Sequence, residues 1–115
     1  MNVSVAELAR RIDAEIIATC NTEKTVSGIY CCDLLSRVLS CAGTGSAWIT
    51  VHTHINVVAV ALLAEISCVI IPEGIDVEQA TIKRAEDEGV TILRTPLSTF
   101  EICVRMGDAF SREKK

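Results

Sequence analysis

Residues 46–74 constrain the fold more than any other part of this 115-residue chain. An apolar run at residues 47–51 is followed by a polar turn at residues 52–56, an apolar helical segment and a β-branched run at residues 68–71. Pro72 and Gly74 end the last run. A strand, a helix and a strand in close succession predict a βαβ unit, so the two strands should lie parallel.

The core of such a unit must be aliphatic here, because half of the residues are hydrophobic while aromatic residues make up only 3%. Val, Ile, Leu and Ala packed between layers are typical of an α/β fold. The length suits one domain with its own core, since domains commonly hold roughly 100 to 150 residues. We therefore predict a single domain over residues 1–115.

The N-terminal part supplies a helix, two strands and a second helix. Ser4 and Glu7 form an S-x-x-E capping box, which predicts a helix over residues 4–14. Strands are predicted at residues 15–19 and 26–30, and the polar turn between them makes the two strands candidates for a hairpin. The next helix is predicted over residues 33–41, ended by the glycines that follow it.

The C-terminal part continues the alternation of helices and strands. Asp76 with Gln79 predicts the start of a helix that ends at Gly89, a strand follows at residues 90–93, and Ser98 with Glu101 caps a last helix. The whole order predicts a three-layer α/β/α fold with a mainly parallel sheet of about five strands.

Charge and hydropathy exclude two classes of partner. A net charge of −4 and a pI near 5.1 disfavour a nucleic-acid surface, which is normally basic. No apolar run reaches the length that a membrane helix needs, and Glu7 and Arg10 interrupt any signal-peptide pattern. We therefore expect a cytoplasmic protein whose six cysteines are reduced and mainly pack in the core.

A ligand site is expected at one edge of the sheet, where the carboxyl ends of parallel strands meet the N-termini of helices. Three segments follow predicted strands there, namely residues 52–56, 72–75 and 94–99. In the last segment, Arg94, the hydroxyls of Thr95, Ser98 and Thr99, and nearby backbone amides could hold a phosphate. Ser98 is also a natural N-cap. The candidate ligand-binding residues are His52, Thr53, His54, Asn56, Glu73, Gly74, Arg94, Thr95, Ser98 and Thr99.

Metal and catalytic interpretations find less support. His52 and His54 could share a metal ion, but the sequence identifies no third ligand, and capping of the turn is the favoured explanation of these residues. Cys31 and Cys32 lack a C-x-x-C spacing, and on a strand their side chains would point to opposite faces. The GTGS turn at residues 43–46 lacks the lysine of a phosphate loop. No catalytic residue, metal site or cofactor is predicted.

Four segments together resemble the DRTGG domain family and cover most of the chain: LLSRVLSCAGTGSAWIT, THINVVAVALL, CVIIPEGI and KRAEDEGVTILRTPLSTFEI. This resemblance implies an α/β domain similar to the N-terminal domain of HPr kinase/phosphorylase. It also implies a regulatory or assembly module, often dimeric, with nucleotide sensing where CBS domains accompany it. The residues that name the family fall at the two turns of the βαβ unit, and only Gly74 is kept.

Two hypotheses of function follow. The first is a non-catalytic regulatory or assembly module that homodimerises through an apolar face and acts on a protein partner, since a mean hydropathy of +0.38 is high for a small domain. The alternative is a small-molecule sensor that binds an adenine nucleotide or another anion at the carboxyl edge of the sheet.

Overall fold

The computed structural model describes residues 2–18 and 21–111. In chain order the elements are β1 (Val3–Ser4), α1 (Val5–Arg11), β2 (Glu15–Ala18), β3 (Thr25–Val26), β4 (Gly28–Cys31), α2 (Leu35–Cys41), β5 (Ser46–Ile49), α3 (Asn56–Leu63), β6 (Cys68–Ile71), α4 (Gln79–Glu88), β7 (Ile92–Arg94) and α5 (Thr99–Ser111). The predicted alternation of helices and strands is present, with β1 and β3 as short additions. The predicted end of the first long strand, Thr19, lies outside the described residues.

The main sheet has five strands in the order β2-β7-β6-β5-β4. Strands β4 to β7 run parallel to their neighbours, and β2 at one edge runs antiparallel to β7. The parallel pairing of β5 with β6 across α3 is the predicted βαβ unit. The prediction of an α/β fold with a mainly parallel sheet of about five strands is therefore confirmed.

The hairpin predicted between the first two long strands is wrong. β2 pairs with β7, and β4 pairs in parallel with β5, so the two strands lie at opposite edges of the sheet. Ser27 separates β3 from β4, and its backbone N–H donates to the carbonyl of Gly45 at 2.9 Å. β3 pairs with β1 instead, which buries Val26 completely under α1. The burial of Val26 under α1 thus had more influence on strand pairing than the short turn between the two predicted strands.

Two apolar cores lie on the two faces of the sheet. Side chains alternate along β5, so Trp48 faces the layer of α2, α3 and α4, while Ala47 and Ile49 face the layer of α1 and α5. The Trp48 Nε1–H donates to the Cys32 carbonyl at 2.8 Å, which satisfies the polar atom of this buried ring. Helices on both faces explain why β5 and β6 are buried along their whole length.

Two of the three predicted helix caps are confirmed. The Glu7 backbone N–H donates to Ser4 Oγ at 3.0 Å, although the Glu7 carboxylate binds Arg10 and Arg11 and does not close the predicted box. Ser98 and Glu101 exchange the two bonds of a capping box. The cap predicted at Asp76 is wrong, because α4 begins at Gln79 and no side chain caps it. The Asp76 carboxylate is instead bonded to the guanidinium of Arg94 at 2.9 Å, so an ion pair replaces the cap.

Candidate functional site

The loops after β6 and β7 are joined directly by hydrogen bonds. The Glu73 N–H donates to the Leu97 carbonyl and the Gly74 N–H to the Thr95 carbonyl, each at 2.8 Å. Both residues of this turn have positive φ, 60° at Glu73 and 64° at Gly74. Space around the Gly74 Cα is open, so backbone conformation rather than packing requires glycine there. Two of the three predicted segments therefore meet.

A cleft of about 420 Å³ lies beside these loops. Its lining combines the end of β7, the turn after β6 and the segment that leads from α1 into β2. The lining residues are Asp13, Ala14, Glu15, Gly74, Asp76, Arg94, Thr95 and Pro96. Gly74, Arg94 and Thr95 were predicted, so the cleft brings together three of the ten candidate residues.

Arg94 is the cation of this cleft, and two carboxylates hold it. Its side chain is 28% exposed, with Nη1 at 2.9 Å from Asp76 and Nη2 at 3.4 Å from Glu15. Both partners are open to solvent, and exposed ion pairs are worth at most about 1 kcal/mol. A ligand that binds the guanidinium more strongly could therefore displace either carboxylate.

The other charged residues of the lining are acidic. Glu15 and Asp76 bind the Arg94 guanidinium, and Asp13, which lines the same cleft, is paired with Arg105 at 3.0 Å. A bare polyphosphate would meet repulsion from these carboxylates, whereas a nucleotide that carries Mg²⁺ would reduce it. The electrostatics thus favour a ligand with both anionic and cationic groups over a simple anion.

The hydroxyls and amides expected to cradle a phosphate already serve the fold. Thr95 Oγ1 donates to the Ile12 carbonyl at 2.6 Å and accepts from the Leu97 N–H at 3.1 Å. Ser98 Oγ accepts from the Glu101 N–H at 3.1 Å, and the Ser98 N–H lowers the pKa of the Glu101 carboxyl by donating to it. Thr99, half-buried, is the first residue of α5. Arg94 is left as the main candidate of this segment for binding an anion.

The predicted residues at 52–56 lie apart from this cleft. The His52 Nε2–H donates to the carbonyl of Asp33, and the Thr53 carbonyl accepts from Thr81 Oγ1 at 2.7 Å. His54 Nδ1 accepts from the Asn56 N–H at 3.2 Å, a bond within the turn that leads into α3. These residues tie the end of β5 to the loop before α2 and to α4. Across residues 2–18 and 21–111, no three His, Cys, Asp or Glu side chains come close enough to hold a metal ion.

Sequence reasoning missed three carboxylates of the cleft, Asp13, Glu15 and Asp76. Glu15 lies directly opposite Arg94 in the antiparallel pairing of β2 with β7. The hairpin prediction placed β2 beside the wrong strand, and the capping prediction assigned Asp76 to a helix. One signal was available, because opposite charges at the start of one strand and the end of another favour antiparallel pairing.

No described helix combines the length and the apolar character required to cross a bilayer. The cysteines that the structure describes are thiols, and Cys20 lies outside the described residues. The expectation that most cysteines pack in the core is wrong for the described ones, because Cys68 alone is buried, Cys32 and Cys103 are half-buried, and Cys31 and Cys41 are exposed.

Comparison with known proteins places the fold and the family. No curated protein matches the chain. Among solved structures, the chain is similar to the CBS and DRTGG domains of the regulatory region of Clostridium perfringens pyrophosphatase, complexed with its activator diadenosine tetraphosphate. The TM-score is 0.74 at 16% identity, over 90% of this chain and 45% of that chain, so this chain spans less than half of its neighbour. The family model of the DRTGG domain matches residues 7–109. The chain therefore belongs to the DRTGG domain family.

Proposed function

We propose that this DRTGG domain is a non-catalytic regulatory or assembly module that forms a homodimer and acts on a protein partner. The outer surface of α3 carries this proposal. The helix, NVVAVALL, contains no charged residue, and its inner side is buried against the sheet. Its outer side presents Ala59, Leu62 and Leu63, and Leu63 is 74% exposed.

The neighbouring helix extends the same surface. α2 packs against α3 on the same face of the sheet, and Leu34 and Leu39 are exposed at and near its ends. Small soluble proteins rarely leave a contiguous aliphatic surface uncovered, because each buried leucine contributes roughly 1.5–3 kcal/mol. We call this surface, formed by Leu34, Leu39, Ala59, Leu62 and Leu63, the α2/α3 face.

A second copy of the chain is the occupant that suits this face best. A two-fold axis brings the same patch of each copy together, and the α3 part of this patch, which carries no charged residue, meets its own image without repulsion. The resemblance to a family that is often dimeric supports the same arrangement. The structural neighbour adds a regulatory setting, since its DRTGG domain belongs to the regulatory region of an enzyme.

Size-exclusion chromatography with light scattering tests the homodimer. At micromolar concentration we expect a molar mass of about twice the 12.4 kDa of the chain. A mass that stays at that of one chain up to about 100 μM would contradict the proposal, because an obligate apolar interface should be saturated well below that concentration. Co-purification of the full chain with cell extract, followed by mass spectrometry, would then identify the protein partner.

A sensor of an adenine nucleotide or another anion is the second candidate, and the exchangeable ion pairs of Arg94 favour it. The structural neighbour is complexed with the activator diadenosine tetraphosphate, which is a polyanion. The nucleotide would bind its phosphates at Arg94 and approach the acidic lining with Mg²⁺.

Thermal-shift measurements with diadenosine tetraphosphate and ATP, each with and without Mg²⁺, test this second candidate. A ligand at 100 times its dissociation constant should add about 2.7 kcal/mol to the free energy of unfolding. Arg94→Gln should abolish the shift, whereas Arg84→Gln, an exposed arginine on α4, should leave it unchanged. The absence of a shift with every nucleotide would leave the homodimer proposal as it stands and remove the sensor.

A further inference from the structure

Two cysteines that are far apart in sequence bring their sulfur atoms into contact. Cys31 is the last residue of β4, the edge strand of the sheet, and Cys103 lies in α5. Their Sγ atoms are 3.5 Å apart although 72 positions separate the residues. The contact joins the helix layer of α1 and α5 to the open edge of the sheet.

We propose that Cys31 and Cys103 form a reversible disulfide, made by exchange with a small-molecule disulfide of the oxidised-glutathione class. The thiolate of one cysteine attacks a sulfur of the small disulfide, forms a mixed disulfide and releases one small thiol. The second thiolate attacks the protein sulfur of the mixed disulfide and releases the second small thiol. The protein loses two protons and two electrons, and the small disulfide gains them as two thiols.

The geometry needs little adjustment. An S–S bond is about 2 Å long, so the two sulfurs must approach by about 1.5 Å, which rotation about the two Cα–Cβ bonds can supply. Cys31 is exposed at an edge that no described strand covers, so a small disulfide can reach it. Cys103 is half-buried directly behind it. The pair therefore combines an accessible first sulfur with a second sulfur already in place.

The other described cysteines lack one of these conditions. Cys68 is fully buried in the core, so a small disulfide cannot reach its sulfur. Cys32 packs on the opposite side of the sheet with the α2, α3 and α4 layer, so it cannot compete for Cys103. Cys41 is exposed, and its Sγ lies 3.5 Å from the Ser40 hydroxyl. We expect Cys41 to accept a mixed disulfide without resolving it.

Electrostatics set the rate of this exchange. Cys31 is exposed as a residue, but its sulfur is partly buried, and this burial, followed by the contact with Cys103, raises the pKa of the thiol to about 12. The thiolate is the nucleophile, so exchange should be slow at neutral pH and should accelerate as pH rises. This slow rate keeps the pair reduced unless the oxidant is abundant or persistent.

The test is incubation of the full chain with mixtures of oxidised and reduced glutathione at about pH 8.5, where thiolates are more abundant. In the wild-type chain, the number of thiols counted after denaturation should fall from six to four, and any glutathione bound to Cys41 would lower it by one more. Peptide mapping should find Cys31 linked to Cys103. The disulfide closes a long loop, so the Tm of the linked form should be about 10 °C higher than that of the reduced form. Reduction should restore the lower Tm.

Three variants make the test decisive. Cys31→Ser at the exposed position and Cys103→Ser at the half-buried one should each lose both the linked peptide and the Tm rise. Cys41→Ser should keep both, since its sulfur contacts no second sulfur among the described residues. Six remaining thiols in excess oxidised glutathione would overturn the proposal, as would Cys31 found only in glutathione adducts or in links between two chains.

Discussion

Helices α3 and α4 lie side by side on the same face of the sheet, yet their outer surfaces differ completely. Both bury their inner sides in the same core, through Val58 on α3 and Ala85 on α4. Outside, α3 presents Ala59, Leu62 and Leu63, whereas α4 presents a run of charged side chains. The outer charges of α4 are Lys83, Arg84, Glu86, Asp87 and Glu88.

This contrast indicates which of the two surfaces is stable when it is exposed to water. The charges of α4 pair along the helix, with Lys83 at 3.6 Å from Asp87 and Arg84 at 4.0 Å from Glu88. Such a face is stable when solvated. The outer side of α3 carries no polar side chain except Asn56 in its first turn. The difference places the expected subunit interface over α3 and its boundary at α4.

The largest expected effect is the loss of the dimer in Leu63→Asp. The substitution places a carboxylate at the most exposed leucine of the α2/α3 face, where two copies would bury two such charges. We expect the dissociation constant to rise at least 100-fold, or about 2.7 kcal/mol, as measured by analytical ultracentrifugation over a concentration series.

Two control variants sharpen this result. Ala80→Asp adds the same charge to an exposed position of α4 and should leave the dimer intact. Val104→Asp does so on α5, whose Phe100 and Val104 are the other strongly exposed apolar pair. If Val104→Asp dissociates the dimer and Leu63→Asp does not, the interface lies on α5 and the comparison between α3 and α4 has misplaced it.

The next effect concerns the inner side of α3. Val58 is completely buried, so Val58→Ala removes two methyl groups and leaves a cavity above β6. We expect a loss of about 2 kcal/mol in the free energy of unfolding, measured by urea denaturation. Leu62→Ala on the outer side should change the unfolding of a monomeric variant such as Leu63→Asp by less than about 0.5 kcal/mol. Equal losses at both positions would mean that the outer side of α3 packs within one chain.

A smaller effect is expected at the bond that joins the two helices. Thr81 of α4 is 1% exposed, and its hydroxyl donates to the carbonyl of Thr53 in the loop before α3 at 2.7 Å. Thr81→Val keeps the shape and removes the donor, which should cost about 1–2 kcal/mol because the carbonyl of half-buried Thr53 loses its partner. Thr81→Ser keeps the hydroxyl and should recover the donor. A stability of Thr81→Val equal to that of the wild type would show that water replaces this bond.

The fold followed from sequence wherever local pattern and burial agree. The βαβ unit was predicted because β5 and β6 are buried on both faces and therefore read as continuous apolar runs. The position of β2 was not predicted, since its partner β7 is 74 or more residues away and only the register of Glu15 with Arg94 indicates the pairing. Pairings of that range depend on the packing of the whole core.

The site was predicted only in part for the same reason. The carboxyl ends of β6 and β7 did meet, and Arg94 faces the cleft between them. The carboxylates that hold Arg94 come from β2 and from the loop before α4. The prediction paired β2 with the wrong strand and assigned Asp76 of the loop to a helix cap. Residues 52–56 follow the neighbouring strand β5, but they form hydrogen bonds with nearby loops and with α4 and do not line the cleft. The order of the strands alone does not predict these contacts.

The smallest expected effect is on the charged surface of α4. Lys83 and Asp87 are 80% and 63% exposed, so water screens their ion pair and both side chains lose rotamer freedom to form it. A double-mutant cycle with Lys83→Ala and Asp87→Ala should give a coupling of about 0.3–0.5 kcal/mol, reduced further at high salt. The dimer mass should not change in any of the three variants. A coupling above about 1 kcal/mol, or a shift in the dimer equilibrium, would mean that α4 is covered by a partner, and its surface would then be as incomplete alone as that of α3.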